Sequence, residues 1–407
     1  MELNHEKRSE TLSNATSQEA EFPPFQNPEE MTDLKQIHER ELELVSQNSD
    51  VLGYNIDSKL IIWPERHTGA QKAKEFLDTG GDIAVLEKQF DQPATRILEA
   101  IDDELSKDKL LDETLAALPD GTRLRINPHA PASPFSIAEA VQADGNGDKT
   151  VHFDNSVMAQ IKRIKEKAAG AELLVVMSQL HNDANGERTS NIPNSSEDYI
   201  ALCRSFVEQS GYSEEGGKGL ILELGNECNM SNIHGGLFNT NAFPDTVTPE
   251  AYADFYYETA VRLKKDFPNL KLSVSGVAFC DTEFIRKVID RIKDRQAEGD
   301  IDTKLIDIIS FHPYRKTVEE ASPAVNAEGF GSNAGQDFDS QLEEMRQIAE
   351  PLNAEVTVGE ISFYKKNWGE SINENEHSKN AIHGREKGYF SYIWPGEQIV
   401  KYEGNNS

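Results

Sequence analysis

The chain has 407 residues, of which 37% are hydrophobic. That length suits one large α/β barrel with extensions, and the low apolar share points to a polar tail or large solvated loops. Its 41 basic and 71 acidic residues leave a formal charge of −30, which repels nucleic-acid backbones and anionic membranes but not a neutral substrate such as a sugar.

Residues 1–50 are polar, rich in Glu, Ser and Asn. They are expected to form a disordered tail, with a short helix from Met31 to Leu44. The start, Met1-Glu2-Leu3-Asn4-His5, lacks the apolar core of a secretory signal, and no run approaches the roughly 18 apolar residues of a membrane span. A cytoplasmic location is the expectation. From residue 51 to 407, β-branched apolar runs alternate with amphipathic segments, the pattern of βα units around a parallel sheet. The runs predict strands over Val51–Ile56, Arg123–Asn127, Glu172–Ser178, Leu220–Leu224, Lys271–Val277, Leu305–Phe311 and Val356–Gly359. Helices are expected from Asp154 to Ala169, Ser196 to Gln209, Asp281 to Arg295 and Gln336 to Glu350. A further helix opens at Thr248-Pro249-Glu250, which offers an N-cap, a proline at the first helical position and an acid in the first turn. Behind it Tyr252, Phe255, Tyr256, Thr259, Leu263 and Phe267 recur at helical spacing, as a core-facing stripe does. Residues 57–92 fit no element. The short stretch after Glu360 must supply a helix and an eighth strand, and Ile382–Tyr392 suits either by propensity. The expected architecture is a (β/α)8 barrel with an irregular closure.

Two of the predicted strands end abruptly in a carboxylate: Leu220-Ile221-Leu222-Glu223-Leu224-Gly225-Asn226-Glu227 and Val356-Thr357-Val358-Gly359-Glu360. A third ends in His312-Pro313-Tyr314. In a parallel barrel all strand ends reach the same rim, so these groups converge however distant they are in sequence. Glu223 shares a strand face with Glu227 but lies deeper, as a paired interior carboxylate would. Arg123 and Arg125 likewise share a face of their strand. The three cysteines, Cys203, Cys228 and Cys280, match neither a zinc motif nor a disulfide framework, and no His/Asn motif supports Cys228 as a nucleophile.

The Asn226-Glu227 strand end resembles the acid/base strand of the retaining (β/α)8-barrel glycoside hydrolases of clan A. The segment 356–362 resembles their nucleophile strand. Ser310-Phe311-His312-Pro313-Tyr314 is similar to the His-x-Tyr on their sixth strand, as in the xylosidase-like family 39 and cellulase-like members. The motifs depart from that pattern at Gly225, where many members carry Trp, and at Cys228, where many carry Pro. The resemblance implies double displacement on β-glycosidic bonds, with Glu227 as acid/base and Glu360 as nucleophile. It implies that Tyr314 and Arg125 support Glu360, and that Asn226 holds the sugar 2-hydroxyl. His312 and Trp394 complete the substrate-binding set, with Trp368 competing for the role of stacking platform. It also implies no metal or organic cofactor and an oligosaccharide or polysaccharide as partner, while the acidic charge and the lack of a long apolar run lead to the expectation of no nucleic acid and no membrane.

Two rival readings come from other classes. A metal-dependent sugar isomerase or lyase would use Glu227, His312, Glu360 and His129 as ligands. A non-catalytic carbohydrate-binding barrel would keep the cleft without turnover.

Overall fold

A computed structural model describes residues 39, 41–56, 64–90, 92–126, 142–143, 149–151, 153, 155–168, 170–177, 181–182, 188–189, 196–229, 248–278, 280–313, 338–359 and 374–393. The apolar runs form eight parallel strands: β1 (Leu52–Ile56), β2 (Leu124–Ile126), β3 (Leu173–Val176), β4 (Leu220–Asn226), β5 (Lys271–Ala278), β6 (Ile308–His312), β7 (Glu355–Val358) and β8 (Phe390–Ile393). Each pairs with the next in chain order, and β8 returns to β1 with Leu52 opposite Ser391, so the sheet closes as a barrel. Closure leaves no unpaired sheet edge.

Alternation sorts the side chains into two environments. On β4, Leu220, Leu222 and Leu224 pack outward into the main core beneath the helices, while Ile221 joins Leu174, Val176, Ile308, Phe390 and Tyr392 inside the lumen. At the entry end the lumen is shut by charge. Arg123 is held bidentate by Glu355, meets Glu172 at 3.0 Å and lies over the Phe390 ring at 4.5 Å.

The helices follow the expected pattern where their apolar stripes are large. They are α4 (Asn155–Lys167), α5 (Ser196–Gln209), α6 (Pro249–Asp266), α7 (Thr282–Glu298) and α8 (Phe338–Ala349), counted after three helices that lie between β1 and β2. Those three, α1 (Pro64–Asp78), α2 (Ile83–Phe90) and α3 (Ala94–Ala117), occupy the stretch that fits no element by sequence and its continuation. Ala70, Ala73, Leu86, Ile97 and Ile101 gather there into a small core of their own. Residues 41–47 are helical, and Leu42 and Val45 are buried in the main core, so ordered structure begins before residue 50. The rest of the expected tail and its helix from Met31 lies largely outside the described residues. The ambiguity of 382–392 resolves into both elements: α9 (Glu374–Lys387) ends and β8 begins three residues later. The barrel therefore closes through an eighth strand paired with both β7 and β1. Among the described residues no helix is long and apolar enough to cross a membrane.

The N-cap of α6 is as expected, with Thr248 Oγ1 accepting from the Ala251 N–H at 3.1 Å. Its stripe is core: Tyr252, Tyr256, Thr259 and Leu263 are fully buried. Tyr252 also fastens the helix to the barrel. Its hydroxyl donates to the Leu224 carbonyl at 2.7 Å and accepts from the Ser275 N–H at 2.8 Å. Tyr252→Phe orphans both backbone groups at the exit ends of β4 and β5. It is expected to cost about 1–3 kcal/mol, read as a lower denaturation midpoint; an unshifted midpoint contradicts this role.

Candidate active site

The strand ends that carry the motif residues meet at one rim. β4 leaves the barrel through Gly225, whose φ of +101° suits glycine alone, into Asn226 and Glu227. Glu227 has φ +46°, a left-handed conformation uncommon for a residue with a Cβ and concentrated at functional sites. Its N–H donates to the Gly276 carbonyl of β5 at 2.8 Å, which holds this turn. The turn sets the carboxylate beside the end of β6, where His312 Nδ1 lies 3.0 Å from Glu227 Oε1. The imidazole is fully buried and the Glu227 side chain is 20% exposed, so the carboxylate is the member of the pair open to solvent. Asn226 is buried, and its Oδ1 has no hydrogen-bond partner within the protein. A buried acceptor left this way is primed for a donor from outside the chain, such as a hydroxyl.

Two glycines make room for the imidazole. A methyl group on Gly276 would fall onto His312 Nε2, with both adjacent ring carbons 2.9 Å away. One on Gly359 of the seventh strand end would lie 2.5 Å from Ser310 Oγ and 3.0 Å from His312 Nε2. Gly276→Ala must therefore push His312 off Glu227. If the pair orients a catalytic carboxylate, turnover falls by about 10²-fold, the penalty of a displacement near 1 Å. Parent-like kcat/KM in this variant would show that the pairing is not needed.

Beneath the rim, Arg125 Nη2 and Glu223 Oε1 lie 3.7 Å apart, both side chains fully buried. Glu223 is thus the paired interior carboxylate its depth suggested. Arg125, which the resemblance assigns to the support of Glu360, faces the lumen, where it lies across from Glu223. Arg123 serves the opposite end of the barrel. Alternation puts both arginines on one face but leaves their depths undecided.

Cys228 is buried, with its N–H donating to Ser275 Oγ at 3.3 Å. Burial pushes its thiol well above the ordinary range, which leaves it protonated and unsuited to nucleophilic attack. The loop after β4 is tied to the next βα unit through Asn229, whose Nδ2 donates to Asp281 Oδ2 at 3.4 Å. Asp281 caps α7 by accepting from the Phe284 N–H at 3.0 Å. Burial raises the Asp281 carboxyl, against the lowering effect of these two donors.

The rim thus joins Asn226, Glu227 and His312, with Arg125 below. Glu360, Tyr314 and Trp394, together with His129 and Trp368, lie outside the described residues. Gly359, which immediately precedes Glu360, donates its N–H to the Phe311 carbonyl at 3.1 Å. The shaping roles of Gly276 and Gly359 are not readable from the sequence, because a close approach depends on side chains of another strand. Among the described residues, no three His, Cys, Asp or Glu side chains are grouped to hold a metal ion.

No protein-family model matches the chain, and a search of curated proteins returns no match. Solved structures are similar in fold. One is CelM2, a bifunctional glucanase-xylanase from a metagenome library, at 14% identity and TM-score 0.46, with 73% of this chain and 75% of that one covered. Another is a glycoside hydrolase family 44 endoglucanase produced by Clostridium acetobutylium, at 14% identity and TM-score 0.44, covering 70% and 74%. A family 39 glycoside hydrolase from the gut symbiont Bacteroides cellulosilyticus has 17% identity and TM-score 0.44; the match covers 74% of this chain and 56% of that one.

Proposed function

We propose that the protein is a retaining glycoside hydrolase that cleaves β-glycosidic bonds of an oligosaccharide or polysaccharide. The observation that carries this reading is the 3.0 Å contact between His312 Nδ1 and Glu227 Oε1 at the exit rim of the barrel. A strand-end carboxylate there, preceded by an asparagine whose Oδ1 is buried without a partner, fits an acid/base group beside a sugar 2-hydroxyl site. In the tautomer with the ring proton on Nδ1, His312 donates to Oε1 and the transferable proton belongs on Oε2. The strand-end sequence Gly359-Glu360 supplies the second carboxylate.

The reaction then runs in two displacements. Glu360 attacks the anomeric carbon as Glu227 protonates the leaving oxygen, giving a glycosyl ester on Glu360. Glu227, now a carboxylate, takes a proton from water as that water displaces the ester and restores Glu360. Asn226 binds the 2-hydroxyl, a contact that strengthens in the oxocarbenium-like transition state, while Arg125 and Tyr314 stabilise the charge on Glu360. Trp394 stacks on a sugar ring. No metal or cofactor takes part.

A 2-deoxy-2-fluoro β-glycoside with an activated aryl leaving group tests the assignment, because the fluorine slows both displacements while the leaving group keeps the first fast, so the ester accumulates. Peptide mass spectrometry is expected to find the adduct on Glu360. An adduct on another carboxylate contradicts the assignment. A barrel that binds glycans but is never labelled, across a panel of sugar configurations, is a binding protein and not this enzyme.

A further inference from the structure

The lumen below the rim holds polar side chains that no protein group satisfies. Asn55 on β1, Ser310 on β6, Thr357 on β7 and Tyr392 on β8 are all fully buried. Both amide atoms of Asn55, Ser310 Oγ, Thr357 Oγ1 and the Tyr392 hydroxyl lack a hydrogen-bond partner within the protein. All four side chains point inward. The first three are each flanked by outward residues of the main core, Tyr54 and Ile56, Ile309 and Phe311, Val356 and Val358. Tyr392 belongs to the lumen cluster.

These groups are also contiguous. β6, β7, β8 and β1 are successive around the closed sheet. Ser310 is the register partner of Thr357, and Thr357 that of Phe390, two residues before Tyr392 on the same face. Tyr392 is the register partner of Gly53, and its ring fills the space a side chain there would take. Asn55, two residues further along β1, lies level with Arg125.

A single buried orphan is a tolerable defect, but a whole sector of them needs a ligand. The chemistry of that ligand is constrained from both sides. The guanidinium of Arg125 disfavours a cation, and the carboxylate of Glu223 disfavours an anion. The orphaned groups themselves need a partner that both donates and accepts, since three are hydroxyls and one is an amide. Water meets each requirement, and because a buried water makes about three hydrogen bonds, about two or three molecules suffice.

We propose that a cluster of ordered water molecules is bound inside the barrel by Asn55, Ser310, Thr357 and Tyr392, as a fixed part of the fold. This inference does not depend on the reaction proposed above. It does place the Ser310 end of the cluster directly under the site, since Ser310 Oγ and His312 Nε2 both lie within 3.0 Å of one point beside Gly359. The water layer is then the bed on which the Glu227–His312 pair rests.

The sign of a stability change tests it. Thr357→Val and Tyr392→Phe remove a hydroxyl at nearly constant shape. If water satisfies those hydroxyls, each variant melts below the parent. If they are true orphans, removing them relieves a penalty, and a melting temperature equal to or above the parent's overturns the proposal. A high-resolution crystal structure of the parent decides independently of how the variants fold. Water density bridging Thr357 Oγ1, Tyr392 Oη and the Asn55 amide is expected; a dry lumen, or an ion in its place, refutes the cluster.

Discussion

Glu360→Ala is expected to lower kcat by at least about 10³-fold while circular dichroism and melting stay near those of the parent, because the nucleophile takes part in both displacements. Glu227→Gln should behave differently in an informative way. With a natural glycan the leaving oxygen needs its proton, and the loss should approach that of Glu360→Ala. With an aryl glycoside whose phenolate leaves unaided, the first displacement survives and the second, which needs the base, limits turnover. Added azide, a nucleophile that needs no base, should then restore turnover and yield a β-glycosyl azide. Hydrolysis near the parent rate by either variant contradicts the assignment of that residue. These assays need a responsive substrate, which a panel of aryl β-glycosides and plant or bacterial polysaccharides supplies.

Arg125→Met should be among the most destabilising single changes in the barrel. Arg125 and Glu223 are both fully buried and face each other at 3.7 Å. Truncating one member leaves the other's charge uncompensated in a low-dielectric lumen, a loss of about 3–5 kcal/mol. The double variant Arg125→Met, Glu223→Gln removes both charges and should recover much of the loss. Equilibrium denaturation of the parent, the two single variants and the double variant gives the coupling. Additive effects would mean that the two groups do not stabilise each other. The same cycle bears on the site, since Arg125 is also proposed to support Glu360 from the second strand.

Much of the barrel is legible because apolar runs and their abrupt carboxylate endings are local features. Leu220–Leu224 reads as a strand, and the structure extends it through Asn226, to the threshold of Glu227. The helix from Ser196 to Gln209 has the boundaries its periodicity suggests. The three helices between β1 and β2 are not legible, since the small core that joins them rests partly on Ala70 and Ala73, residues too slight to mark an apolar stripe. The eighth strand is hidden for another reason: Ile382–Tyr392 spans the end of one element and the start of the next.

At the site, residue types can be read but partners cannot. Asn226, Glu227 and His312 are singled out by their places at strand ends, whereas the Glu227–His312 contact depends on β4 and β6 meeting across β5. The two glycines that house the imidazole look ordinary in sequence, because their effect is visible only against a ring on another strand. Arg123 and Arg125 show the same limit. Depth in the lumen, set by the register of neighbouring strands, decides which carboxylate each meets.

The most direct test of the central claim is the stereochemistry of the first product, followed by proton NMR as a responsive β-glycoside is consumed. A carboxylate pair working by double displacement releases the β-anomer first, with the α-anomer growing in only as the sugar mutarotates. Initial release of the α-anomer would mean a single inverting displacement, and Glu227 and Glu360 could not then act as acid/base and nucleophile.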